Sequence, residues 1–178
     1  MKKINDFNYD ADEVVKNEGL KPGIYLCKIL AVTDFEDKEY LELKIDIEKG
    51  DYKGYFQNQE RAFGYYPSSG KSYQSYKETS KKFFQAFITA IRKSNPNFVW
   101  NWNEQTLVNK LFVGNFGEEE YEKQDGTIGV SIKLREIRSI EAFKNNEIKE
   151  LPLKKLKKKQ EEIKQETISE INIDDLPF

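Results

Sequence analysis

The chain has 178 residues, of which 34% are charged and 38% hydrophobic; this suits one folded domain with polar tails and excludes both a fully disordered chain and two full-sized domains. Histidine is absent and Cys27 is the lone cysteine, which removes the commonest general base, the commonest transition-metal ligand and any intrachain disulfide, so no enzyme and no cofactor is expected. No run approaches the roughly 18 apolar residues of a bilayer span, and the start Met1-Lys2-Lys3-Ile4-Asn5-Asp6 turns acidic at once; a cytoplasmic protein with no membrane partner is expected.

Residues 1–21 carry scattered apolar side chains (Ile4, Phe7, Tyr9, Val14, Val15) without sustained period and read as an arm packing on the body. Pro22-Gly23 signals a turn, and Gly23 to Thr33 is rich in β-branched and aromatic residues, a first strand in which Cys27 is a buried structural thiol. An acidic turn (Asp34 to Glu39) precedes Tyr40 to Ile47, where Leu41, Leu43, Ile45 and Ile47 alternate with polar residues, a second strand. Tyr52 to Phe63 is predicted as an aromatic-rich third strand with a bulge or bend at Gly54, followed by a polar loop from Gly64 to Lys77. A helix capped by Thr79 or Ser80 is expected to run to about Lys93 with Phe83, Phe84, Phe87, Ile88 and Ile91 facing inward, ended by Asn95-Pro96. Leu107 to Phe116 reads as a fourth strand. Asp125-Gly126 then turns into a fifth, with Ile128, Val130, Ile132 and Leu134 inward.

Five strands with a helix between the third and fourth is the order of the oligonucleotide-binding (OB) fold, a five-stranded partly open Greek-key barrel. The predicted fold is thus mainly β, with an arm over 1–21, the OB domain over 22–152 and a basic-then-acidic tail over 153–178, read as disordered. The charge along that tail is segregated. Lys154 to Lys159 holds five cations in six residues, whereas 161–178 balances to −5; against a net −2 for the chain, residues before 161 carry +3.

In OB barrels the second and third strands and their flanking loops hold nucleic acid. Sequence-independent binding of a single strand needs cations for phosphates and flat side chains on which bases stack. Tyr40, Lys44, Lys53, Tyr55 and Arg61 are expected on the outward phase of the second and third strands, and Tyr65, Tyr66, Lys71, Tyr73, Tyr76 and Lys77 in the loop after them. Trp100 and Trp102 add a dense aromatic patch, and Lys133, Arg135 and Arg138 the outward edge of the fifth strand.

The ending Asp174-Asp175-Leu176-Pro177-Phe178 resembles the acidic tip of bacterial single-stranded DNA-binding proteins. That resemblance implies docking to replication and recombination proteins, with the phenyl ring in an apolar pocket and the acids on a basic rim. The body, through Leu20-Lys21-Pro22-Gly23, Gly50-Asp51-Tyr52-Lys53-Gly54-Tyr55-Phe56, Lys82-Phe83-Phe84 and Leu151-Pro152, is similar to the phage and mobile-element members of that group from low-GC Gram-positive bacteria. Its linker of lysines then glutamates departs from the Gly, Gln and Pro-rich linker of the housekeeping proteins. The resemblance implies single-stranded DNA as ligand, the host cytoplasm as the location if phage-encoded, and leaves a homo-oligomer open. Two other readings compete: a metal-dependent nuclease using the Glu42-x-Lys44 spacing with Asp34 or Asp37, and a barrel that serves as a protein-binding adaptor.

Overall fold

The computed structural model describes residues 19–156. Most of the N-terminal arm and the tail from residue 157 on, including Asp174, Asp175, Leu176, Pro177 and Phe178, lie outside the described residues.

Five strands form one antiparallel sheet: β1 (Gly23–Phe35), β2 (Tyr40–Ile47), β3 (Lys71–Ser75), β4 (Leu111–Glu122) and β5 (Ile128–Arg138), in the spatial order β3-β2-β1-β4-β5. Three helices accompany them, α1 (Tyr55–Phe63), α2 (Lys81–Ser94) and α3 (Ile140–Lys144). β1 is long enough to serve two neighbours. Its first half pairs with β4 and its second half with β2, and a register shift between Ile29 and Ala31 bends it between the two tasks. The sheet curls until its edge strands β3 and β5 border a common cleft, so it stays open along one seam. This mainly β arrangement is consistent with an OB-like fold.

The core lies inside the curl. Cys27, Ile29, Leu43, Ile45, Ile47, Phe112 and Phe116 are at most 1% exposed, and each large aliphatic among them contributes about 1.5–3 kcal/mol by leaving water. Burial also pushes the Cys27 thiol up, out of the reactive range. α2 closes one end with Phe84, Phe87, Ala90 and Ile91, and Asn95 fastens its C-terminus by bonding both main-chain groups of Leu111.

The predicted third strand is wrong: Tyr55–Phe63 is helix α1, and the strand is Lys71–Ser75 within the predicted loop. α1 forms because its ends are made for a helix. Gly54 and Gly64 flank it in left-handed conformations (φ 72° and 78°), and the Gly64 N–H donates to Glu60 O. Buried Asp46 supplies the missing N-terminal cap, its carboxylate accepting from the N–H groups of Phe56 and Gln57, both at 3.0 Å. Phe56 thereby stacks on Phe116 with ring centres 6.1 Å apart. β3 shows no alternation because its inward residues, Ser72 and Gln74 opposite Leu43 and Leu41, are polar, as an edge strand tolerates.

Smaller corrections concern the other elements. Phe83 is 78% exposed instead of inward, and Ser80 caps α2 without a side-chain bond. The fourth strand starts at Leu111 after a 3-10 turn and runs on to Glu122. Ile128 and Val130 are exposed because the β4/β5 hairpin overshoots the sheet.

Candidate nucleic-acid interface

Alternation along β2 sends Leu41, Leu43 and Ile45 into the core and Tyr40, Glu42 and Lys44 to the outer face. Register then fixes their neighbours. On β3, Ser75 lies opposite Tyr40, Tyr73 opposite Glu42 and Lys71 opposite Lys44; on β1, Phe35 lies opposite Tyr40. Three rings meet as a result. Phe35 stacks on Tyr40 at 4.8 Å between centres and 18° between planes, and Tyr40 meets Tyr73 edge-on at 5.8 Å. Tyr73 is 57% and Phe35 36% exposed, so this platform presents ring faces and edges to solvent.

Glu42 shares that face, opposite Tyr73. Lys71 Nζ bonds its carboxylate at 3.1 Å, which holds the lysine's pKa above its ordinary value. Partial burial and a hydrogen bond to Glu42 raise that of Tyr73. Lys44 lies over the Tyr66 ring at 5.2 Å and 4.0 Å from Glu60. Tyr66 itself turns inward and hydrogen-bonds Ile45 O; burial lifts its hydroxyl pKa far above the usual range.

Across the seam, Lys133 and Arg135 of β5 share a cleft of about 390 Å³ with Lys71 and Tyr73 of β3. Arg135 Nη1 donates to Pro152 O at 2.5 Å, and Lys133 lies 3.9 Å from Glu119. The opposite end of the platform carries the acidic turn Asp34, Glu36, Asp37 and Glu39. Lys71, Lys133 and Arg135 thus gather at the seam, Lys71 and Lys133 each beside a carboxylate, and the unmixed acids lie at the other end.

The remaining predicted residues fall elsewhere. Tyr76, Trp100 and Trp102 gather around Phe84 in a second cleft of about 830 Å³ rimmed by Glu78, Lys81 and Arg92. Trp102 is 78% exposed, and the Trp100 Nε1–H is buried without a described partner. Tyr76 Oη donates to Asp34 at 2.9 Å, and desolvation followed by that bond pushes its pKa up to about 12. Lys53 and Tyr55 border a third cavity beside α1, where the Tyr55 hydroxyl accepts from Leu20 N–H. The strand phase expected to align Tyr55 with Lys53 and Arg61 does not exist, because the segment is helical. Arg61 is exposed on α1, 3.4 Å from the Asn58 side-chain oxygen; Tyr65 is exposed beside Phe63; Lys77 is exposed after β3; Arg138 ends β5 opposite Val113.

Sequence reasoning missed Phe35, absorbed into the acidic turn; its signal was an aromatic five residues before Tyr40, across a tight turn. Glu42 and Asp34, the acids of the nuclease reading, bond to Lys71 and Tyr76, and among the described residues no group of three or more Cys, Asp or Glu is placed to hold a metal ion. No family model matches the chain, and no curated protein matches it.

Proposed function

We propose that this chain is an OB-fold protein that binds single-stranded DNA without sequence preference, in DNA replication or recombination, and recruits partner proteins through Asp174–Phe178. One observation carries the DNA-binding reading: the exposed Phe35–Tyr40–Tyr73 platform opens directly onto a seam bordered by Lys71, Lys133 and Arg135. Bases stack on the rings, each contributing roughly 1–3 kcal/mol. Phosphates follow the seam, and Lys71 exchanges Glu42 for a phosphate oxygen. Stacking on rings is tolerant of sequence, because every base has a π-face, so weak preference among bases is expected.

Titration with oligo(dT) at low salt tests this reading. Tyrosine emission is expected to fall on binding, and log affinity to decline linearly with log salt. Absence of binding at low salt contradicts it.

A further inference from the structure

The β4/β5 hairpin runs past the rest of the sheet and leaves Ile128 and Val130 more than half exposed. Main-chain groups are open at the same place. Glu118 O accepts from Lys154 N–H, and Glu120 N–H donates to Lys154 O, both at 2.9 Å; these two residues of β4 thus turn their main-chain groups away from β5. Their cross-strand partners, Ile132 and Val130, must turn theirs to the outer edge of β5, because members of a non-hydrogen-bonded antiparallel pair both point outward. β5 ends the sheet, and no other described strand pairs with that edge. An open edge beside exposed apolar side chains is a template for another strand.

The chain's own N-terminal part departs from this spot. Gly19 and Leu20 line a cavity of about 620 Å³ with Val130, Ser131, Ile132 and Lys133. Leu20 is buried, its N–H donates to Tyr55 Oη at 3.0 Å, and Tyr52 Oη bonds Gly19 O at 3.5 Å, which pins the point of departure. Upstream, Phe7, Tyr9 and Ala11 alternate with polar residues over one short stretch, and Val14-Val15 is β-branched, which offers apolar side chains to cover Ile128 and Val130. Six residues of β5 edge measure about 20 Å. Twelve residues from 7 to 18 reach up to about 40 Å, ample for the distance.

We propose that residues 7–18 of this chain add a strand to the outer edge of β5 at Ile128–Lys133 and cover Ile128 and Val130. The tether at Gly19 gives this segment a high local concentration that a free peptide or a second copy lacks. The proposal makes no use of nucleic acid and stands or falls apart from the DNA-binding reading.

Amide hydrogen exchange of the full chain, read residue by residue by NMR, tests it. The Val130 and Ile132 amides are expected to exchange at least about 100-fold more slowly than an open chain, at every protein concentration. The double substitution Val14→Asp and Val15→Asp should restore fast exchange there while Cys27 and Ile45 stay protected, which marks the fold as intact. Fast exchange at Val130 and Ile132 in the unaltered chain overturns the proposal. Protection that survives the double substitution, or that fades on dilution and so points to a second copy, overturns it equally. Should the double variant lose protection at Cys27 and Ile45 as well, Phe7→Asp with Tyr9→Asp is read by the same criteria.

Discussion

Asp46 is 3% exposed, and its carboxylate accepts three main-chain N–H bonds, from Ile47, Phe56 and Gln57. It replaces the local cap that Gly54 cannot give and places a negative charge at the positive end of α1. Asp46→Ala would leave these donors without a partner, a loss of about 2 kcal/mol or more in urea unfolding, since bonds to a charged group exceed neutral ones. From sequence, Asp46 belonged to the polar phase of an alternating strand and so to solvent. Alternation reports the two faces of a strand but not what later covers one of them, and here α1 does. Glu42 has the same outward phase and does lie on that face, where it pairs with Lys71, a cation on the proposed path of the phosphates. Glu42→Gln is therefore predicted to tighten oligo(dT) binding severalfold at low salt, measured by fluorescence titration.

The elements were legible in proportion to how strongly their own residues dictate them. β2 runs over Tyr40–Ile47 as expected because four aliphatics alternate with polar residues and a buried sheet needs that period. α1 was read as a strand because Tyr55, Phe56 and Phe63 suit either conformation, and what decides between them, Asp46 across the fold and the left-handed glycines at both ends, is a matter of tertiary contact and dihedral angle. Gly64 tests this directly. At φ 78° an alanine is strained, and Gly64→Ala should cost about 1 kcal/mol in thermal or urea unfolding although no atom stands in its way. The segment after α3 offers a second test. Residues 151–156 lie along β4, held by Lys154 to Glu119 at 2.6 Å, and that contact lowers the Glu119 pKa. A carboxyl that binds its proton less readily when folded stabilises the folded form above its unfolded value of about 4.3. That contribution is lost as pH falls through the lower folded value. Protection of the Lys154 amide, relative to the intrinsic exchange rate at each pH, should accordingly fall below about pH 4, ahead of that of β1 and β2.

At the scale of the molecule, the sheet order and the open seam gather Tyr40, Lys44, Lys71 and Tyr73 on one face and bring Lys133 and Arg135 to its border, residues separated by up to 95 positions in sequence. The outward phase of β2 and β5 made part of this set readable. The separation of Tyr76, Trp100 and Trp102 into a different cleft was not, because it follows from where α2 packs. Charge acts at this scale too. Residues 161–178 carry −5, and a tethered polyanion of that charge is predicted to compete with phosphate for the seam. Removal of 161–178 is predicted to tighten DNA binding and abolish partner docking; weaker DNA binding after removal would argue against that competition.

The most direct measurement compares the unaltered chain with the double variant Tyr40→Ala, Tyr73→Ala in binding a labelled oligo(dT) at low salt, by fluorescence anisotropy, with urea unfolding as the control for folding. At roughly 1–3 kcal/mol per stacked base, the variant is predicted to lose at least about 30-fold in affinity while keeping its salt dependence. Equal affinity in the two proteins would contradict the β2–β3 face as the place where the strand is held.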